Sequence, residues 1–244
     1  MTHGVGGSDI VFLYIHGFLG QHDSPLGDQL DLLCRHQGYR LERLRWKGGS
    51  WGELIGRPAV GVVMGLLEAW LDPSHARSIG RIVVNALQGS KTWDNALQQT
   101  AVAALSLQAH VKQLAEAHQR VAIIAFSLGA RVVCNFLAIA ADPTILQNIH
   151  SITLCGAAVD HSHTPALQQL RLVQPGFRLQ NLYSETDRVL NWLYPLGTAW
   201  SVAAGKVGFQ DTEAVVNVHM SVGHSAYDTI AAQVFQCALR AGII

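Results

Sequence analysis

The sequence predicts an α/β fold, a mostly parallel sheet with helices on both faces, and three observations carry that reading. Short apolar runs rich in β-branched residues, at 10–15 and 121–126, are continuous rather than alternating, as strands buried on both faces are. Amphipathic or wholly apolar helical stretches separate such runs, and this alternation puts helices on both sides of a parallel sheet. The polar residues that suggest chemistry fall just past the strand ends, where such sheets bind ligands. With 244 residues, 49% of them hydrophobic and 14% charged, the chain can bury one sizeable core, so residues 1–244 read as a single domain.

Taken in order, a glycine-rich start leads into the strand at 10–15, then into His16-Gly17-Phe18-Leu19-Gly20, whose glycines let backbone approach a ligand closely. Leu26, Leu30 and Leu33 recur at helical spacing within a helix over 26–37, and Gly38 ends it. A more exposed strand follows at 39–46. From 47 to 95 the pattern loosens around Gly48, Gly52, Gly56, Pro58, Gly61 and Gly65, yet the stretch stays apolar and carries Trp51, Trp70 and Trp93. It is too long for a loop and offers no strand, so it reads as a helical cap insertion with helices near 62–71 and 79–87. An ordinary helix pair covering one sheet face is the alternative.

Residues 96–118 form an amphipathic helix, with Ala104, Leu107, Val111 and Leu114 on one face and Gln108, Lys112, Gln113 and Glu116 opposite. The strand at 121–126 then passes through Ser127, without a loop, into an apolar and therefore buried helix over 128–141, which Asp142-Pro143 ends. Further strands are expected at 151–156, 177–184 and 215–220. A helix over 228–240 closes the chain with Ile230, Val234, Phe235 and Leu239 inward.

Composition removes several function classes. Lys+Arg and Asp+Glu number 17 each, so there is no basic footprint for nucleic acid and no polybasic membrane patch. Cys34, Cys134, Cys155 and Cys237 lie in apolar surroundings without metal or redox spacing and read as reduced core residues. No secretory signal is visible at the N-terminus, and the apolar stretch at 59–71 is short against the roughly 20 residues a bilayer requires. A cytoplasmic location follows as the expectation, with no cofactor and no bound metal.

A serine hydroxyl attacks a carbonyl only when a base within hydrogen-bond reach takes its proton and a carboxylate orients that base. Ser127, Asp187 and His224 follow one another in the chain, each just past an expected strand end. Asp160 is the rival acid, one strand earlier, and Asp187 also suits a helix N-cap because Val189-Leu190 follow it. Among the twelve histidines His219 lies within the last strand, so a packed role suits it, and His224 is the candidate base. His161 and His163 form an H-x-H pair with no third ligand at suitable spacing. For a negative oxygen the candidate donors are the backbone amides of Leu128, opening a helix, and of Phe18, with Leu19 the alternative. Gly17 lets this loop fold back over the serine, and the His16 imidazole reads as structural. Leu19, Trp51, Trp192 and Tyr194 are the candidate substrate-binding side chains.

The segments HGFLG, AFSLGARVV, Tyr183-Ser184-x-x-Asp187 and GHSAY resemble the α/β-hydrolase superfamily, in which the serine sits on a strained strand-to-helix turn, the nucleophile elbow. Ala125 stands where G-x-S-x-G has its first glycine, which keeps the residue small. More narrowly, SLGARVV, LCGAAV, YSETDRVLNWLY and VGHSAY are similar to a poorly characterised hydrolase-like family that includes eukaryotic transmembrane and coiled-coil domain proteins. The resemblance implies an α/β-hydrolase fold and a serine hydrolase acting on carboxylic esters, with lipid or acyl esters as a substrate class, through Ser127, Asp187 and His224. A thioesterase or acyltransferase with the same triad, or a hydrolase-fold scaffold without activity, fits the same residues. No membrane location carries over, since this chain lacks the spans of those relatives.

Overall fold

The computed structural model describes residues 9–18, 24–48, 91–140, 142–163, 170–198 and 200–240. Strands β1 (Ile10–Ile15), β2 (Arg40–Leu44), β3 (Arg120–Phe126), β4 (Ile149–Cys155), β5 (Leu179–Tyr183) and β6 (Val215–His219) form one six-stranded sheet in the order β2-β1-β3-β4-β5-β6. Every pairing is parallel. Helices among the described residues include α1 (Pro25–His36), α2 (Lys91–Glu116), α3 (Leu128–Ile139), α4 (Pro143–Gln147), α5 (Arg188–Gly197), α6 (Ala204–Val207) and α7 (Ala231–Arg240), with a 3-10 helix at His224–Ile230 before α7.

The uninterrupted apolar strands are explained by what covers them. Side chains alternate across the pleat, so Val11, Leu13 and Ile15 of β1 join the core under α2 and α3, with Leu107, Val111, Val132 and Phe136. Phe12 and Tyr14 point the other way, to Leu26 and Leu30 of α1 and Val234 and Phe235 of α7. Phe12 stacks on Phe235 at 5.0 Å and meets Tyr39 edge-on at 5.2 Å, contacts worth about 0.5–1.5 kcal/mol each beyond burial. Among the described residues strand β2 has a neighbour on one side only, and it carries the charged residues Arg40, Glu42 and Arg43.

From β1 the chain moves one way to β2, then returns past β1 to β3 and continues one way to β6. Right-handed crossovers put helices of opposite travel on opposite faces, which is why α1 and α3 lie on different sides of the sheet. The reversal opens a crevice at the carboxyl ends of β1 and β3. Ile15 pairs with Ala125, so two residues further on Gly17 and Ser127 face each other across that crevice.

Boundaries depart from expectation in instructive places. The helix expected at 96–118 begins at Lys91, since nothing from Lys91 to Asn95 breaks it, so this part of the expected cap belongs to α2. Residues 49–90 of the expected cap, with its helices at 62–71 and 79–87, lie outside the described residues. Gly156 takes φ +52° and ends β4. The helix expected at 228–240 is two pieces, the 3-10 turn carrying His224 and then α7. Helices α4 and α6 were not anticipated, and α5 only through the N-cap reading of Asp187.

Two measurements bear on this packing. A Cβ on Gly129 would sit 2.4 Å from the Ile15 carbonyl oxygen, so Gly129→Ala must push α3 off β1. Its expected cost is about 1–3 kcal/mol in urea unfolding, and a neutral effect contradicts the close packing. His150, 6% exposed at the start of β4, has its pKa held below the usual histidine value, first by burial and then by Arg120. The unfolded chain binds that proton more readily, so stability from this site is present above the ordinary histidine pKa of about 6.5 and is lost as pH falls below it. The urea midpoint is expected to drop between about pH 7.5 and about pH 5.5, and to drop less in His150→Gln.

Candidate active site

At the junction of β3 and α3, Ser127 takes φ +53° and ψ −120°, a conformation that costs a non-glycine residue about 1–3 kcal/mol. Three backbone hydrogen bonds hold it there. Its N–H donates to the Cys155 carbonyl at 2.9 Å, and its own carbonyl accepts the N–H groups of Ala158 at 3.1 Å and Ala130 at 3.0 Å. At about 0.5–1.5 kcal/mol each, three such bonds offset the strain. The small neighbours have a steric reason: Ala125 is wholly buried between strands, and Gly129 lies against the Ile15 and His16 carbonyls. The turn leaves Ser127 7% exposed, at the edge of the sheet.

His224, first residue of the 3-10 turn, reaches Ser127 from the β6 side. Its Nε2 is 3.0 Å from Ser127 Oγ, and its Nδ1 is 2.7 Å from Asp187 Oδ2. An ionised carboxylate only accepts, so Nδ1 carries the proton; Nε2 then accepts from the serine hydroxyl. The imidazole leans on Phe126, with ring centroids 4.9 Å apart. Below it Tyr227 donates its hydroxyl to the Leu182 carbonyl at 3.1 Å and fixes the turn to β5.

Asp187 is wholly buried, and both of its oxygens are used. Oδ2 meets the imidazole, while Oδ1 accepts the Leu190 N–H at 2.9 Å as the N-cap of α5. The two readings of this residue from sequence, cap and orienting acid, are therefore both present in one side chain. Gly156 lies beside the pair, where a Cβ would be in ordinary contact with Asp187 Oδ2 and His224 Nδ1 at 3.4 Å; its φ of +52° is what favours glycine there.

On the opposite side of the serine, the loop after β1 closes in. A Cβ on Gly17 would come within 2.6 Å of Ser127 Cβ. His16 is buried, donates Nδ1–H to the Gly17 carbonyl at 2.8 Å and stacks on Trp46 at 5.3 Å. Trp46 in turn donates Nε1–H to the His16 carbonyl at 3.0 Å. Phe18 packs half-buried against the core under α2 and α3. Leu128 is the first residue of α3, so its N–H has no intrahelical acceptor and lies at the positive end of the helix dipole.

The rival residues lie elsewhere. Asp160 accepts the Ser162 N–H and hydroxyl at 2.9 and 2.6 Å, which holds its carboxyl below the usual range. His219, last residue of β6, is exposed and meets Tyr183 edge-on at 5.3 Å, so it is not packed as expected, because the strand ends there. His161 contacts Gln210, and among the described residues no group of three His, Cys, Asp or Glu side chains is placed to hold a metal. Tyr194, expected to line a pocket, faces the core instead, 2% exposed, and burial pushes its hydroxyl up to about 12. Its position on α5, a helix that the sequence reading did not place, sets that direction. Leu19, Trp51 and the Trp192 side chain lie outside the described residues. The sequence reading passed over Gly156 and Ser184; the glycine directly after a buried strand, and the serine within Tyr-Ser-x-x-Asp, were the signals available.

A parallel sheet with helices on both faces, a strained serine turn at the crevice and a buried acid beyond β5 define a protein of the α/β-hydrolase fold. Residues 59–239 match the family described as Protein of unknown function (DUF726), and the chain belongs to that family. An uncharacterized membrane protein of Schizosaccharomyces pombe, C6F6.13c, is 28% identical over 206 residues, which cover 82% of this chain and 34% of that protein; this chain thus spans about a third of its length. Among the described residues no helix is long and apolar enough to cross a membrane. Of solved structures, the catalytic core domain of acetyl xylan esterase from Trichoderma reesei aligns with a TM-score of 0.51 at 9% identity, covering 97% of this chain and 100% of that one. A thioesterase domain from the curacin biosynthetic pathway aligns at 0.48 and 12% identity, covering 96% and 92%. At 9% identity the likeness to the esterase core domain concerns the fold alone.

Proposed function

We propose that this chain is a serine hydrolase that cleaves carboxylic esters through an acyl-enzyme intermediate, with Ser127 as nucleophile, His224 as general base and Asp187 as its orienting acid. One observation carries the reading: the imidazole lies within hydrogen-bond reach of the serine oxygen on one side and of a buried carboxylate on the other. That arrangement is what a poor nucleophile requires at neutral pH.

In this reading Ser127 Oγ attacks the ester carbonyl as its proton passes to His224 Nε2. The imidazolium is stabilised by Asp187, which stays ionised and also fixes the Nδ1–H tautomer. Negative charge collects on the carbonyl oxygen, and the amides of Leu128 and Phe18 are the proposed donors to it. When the tetrahedral adduct collapses, the C–O bond to the alcohol breaks and the leaving oxygen takes the proton from Nε2. The acyl group is then an ester of Ser127. Water gives a proton to Nε2 and its oxygen to the carbonyl carbon, and collapse releases the acid while the proton returns to Ser127 Oγ. The half-buried Phe126, adjacent to Ser127 in the chain and against the His224 ring, suits an apolar acyl group, which extends the proposal to acyl or lipid esters.

Hydrolysis of p-nitrophenyl esters of increasing chain length tests the proposal. Wild type is expected to turn over. Ser127→Ala is expected to lower kcat by about 10⁶-fold, and Asp187→Asn, which favours the wrong imidazole tautomer, by about 10⁴-fold. Equal rates for wild type and Ser127→Ala contradict it, and a maximum at acetyl removes the preference for longer acyl chains.

A further inference from the structure

The loop that carries His224 is attached to the rest of the protein in a way that the acid–base pair itself does not explain. The last rung of the β5–β6 side is the Met220 N–H donating to the Tyr183 carbonyl at 2.8 Å, and the 3-10 turn begins at His224. Between them lie residues 221–223. Among the described residues, the hydrogen bonds that tie this stretch to another loop all converge on one acceptor, the Val222 carbonyl.

Its donors come from the loop that carries Asp187. Ser184, wholly buried after β5, gives its hydroxyl proton to the Val222 carbonyl at 2.6 Å. The Thr186 hydroxyl lies 3.2 Å from that carbonyl and 2.9 Å from Ser184 Oγ. A carbonyl cannot donate, so the Ser184 proton is committed to Val222, and Thr186 donates to Ser184 Oγ or adds a longer second bond. The backbone of Ser184 is fixed at both ends: its N–H donates to the Gly205 carbonyl at 2.9 Å, and its carbonyl accepts the Asp187 N–H at 3.1 Å. One residue thus bonds to α6, to the acid's own backbone and to the chain two residues before the histidine.

We propose that Ser184 is a positioning residue that sets the contact between His224 and Asp187, with Thr186 as a second, weaker tie. The inference rests on the reading of His224 as a general base. Ser184 makes no hydrogen bond to Ser127 or to the imidazole; it acts by holding the two loops in register. At 2.7 Å the imidazole–carboxylate bond is lost with a shift of about 1 Å, since a separation near 3.6 Å is no longer a hydrogen bond. Without the tie the apolar contacts of Val222 remain, but these are not directional.

Ser184→Ala and Thr186→Val test the assignment, read by the far-downfield proton resonance of His224 Nδ1–H at neutral pH and by ester kinetics. Ser184→Ala is expected to broaden or abolish the resonance through exchange with water. Its kcat is expected to fall about ten- to a hundredfold, as for a misplacement of about 1 Å, with KM changed far less. Thr186→Val is expected to weaken the resonance less, and the double variant to lose it. A Ser184→Ala resonance as sharp and as slowly exchanging as in wild type overturns the proposal. The resonance does not depend on turnover, so if wild type hydrolyses no ester the positioning role is still decided by it. If Ser184→Ala does not fold, Thr186→Val decides alone: a weakened signal supports the tie, and an unchanged one overturns it.

Discussion

The architecture depends on the close approach of three backbone segments around Ser127. The strained turn is held by β4 through the Cys155 carbonyl and the Ala158 amide, α3 lies on the Ile15 carbonyl across Gly129, and the loop after β1 lies on the serine across Gly17. None of these contacts tolerates a larger residue without movement. Because strand order reverses between β1 and β3, this crowding falls where the sheet opens. The strain and the crevice are therefore one feature: the same geometry that forces φ positive lifts the side chain to the sheet edge.

Beyond the serine, the cost that must be met is that of burying a carboxylate. An unpaired charge in the interior costs several kcal/mol, and Asp187 is wholly inaccessible. It is satisfied by the α5 amide on one oxygen and the imidazole on the other. Capping and orientation are coupled as a result, since any shift of α5 moves the acid. The Ser184 tie serves the same end, keeping the β5 and β6 loops in register so that the acid and the histidine meet.

Much of this was legible in the sequence, for physical reasons that differ from element to element. Runs such as 10–15 and 121–126 read as buried strands because both faces are covered, and the strand-end positions of Ser127, Asp187 and His224 follow from the direction of a parallel sheet. Strand ends left Asp160 as a rival acid, and the resemblance carried by Tyr-Ser-x-x-Asp pointed to Asp187; the geometry brings Ser127, Asp187 and His224 together. What stayed hidden was the stretch from 188 to 207. Pro195 is accommodated inside α5, and Gly205 is required because a Cβ would meet Ala157 N at 2.1 Å. Missing α5 misdirected Tyr194 outward. The tie from Ser184 to Val222 joins residues far apart in sequence and has no local signature.

The central claim is that Ser127 is a nucleophile activated by His224. The most direct measurement is intact-protein mass spectrometry after exposure to a fluorophosphonate, with the adduct located by peptide mapping. The account predicts a single adduct on Ser127 that forms slowly or not at all in His224→Ala, and none in Ser127→Ala. Labelling that spares Ser127 in wild type, or that proceeds equally well without the histidine, would contradict it.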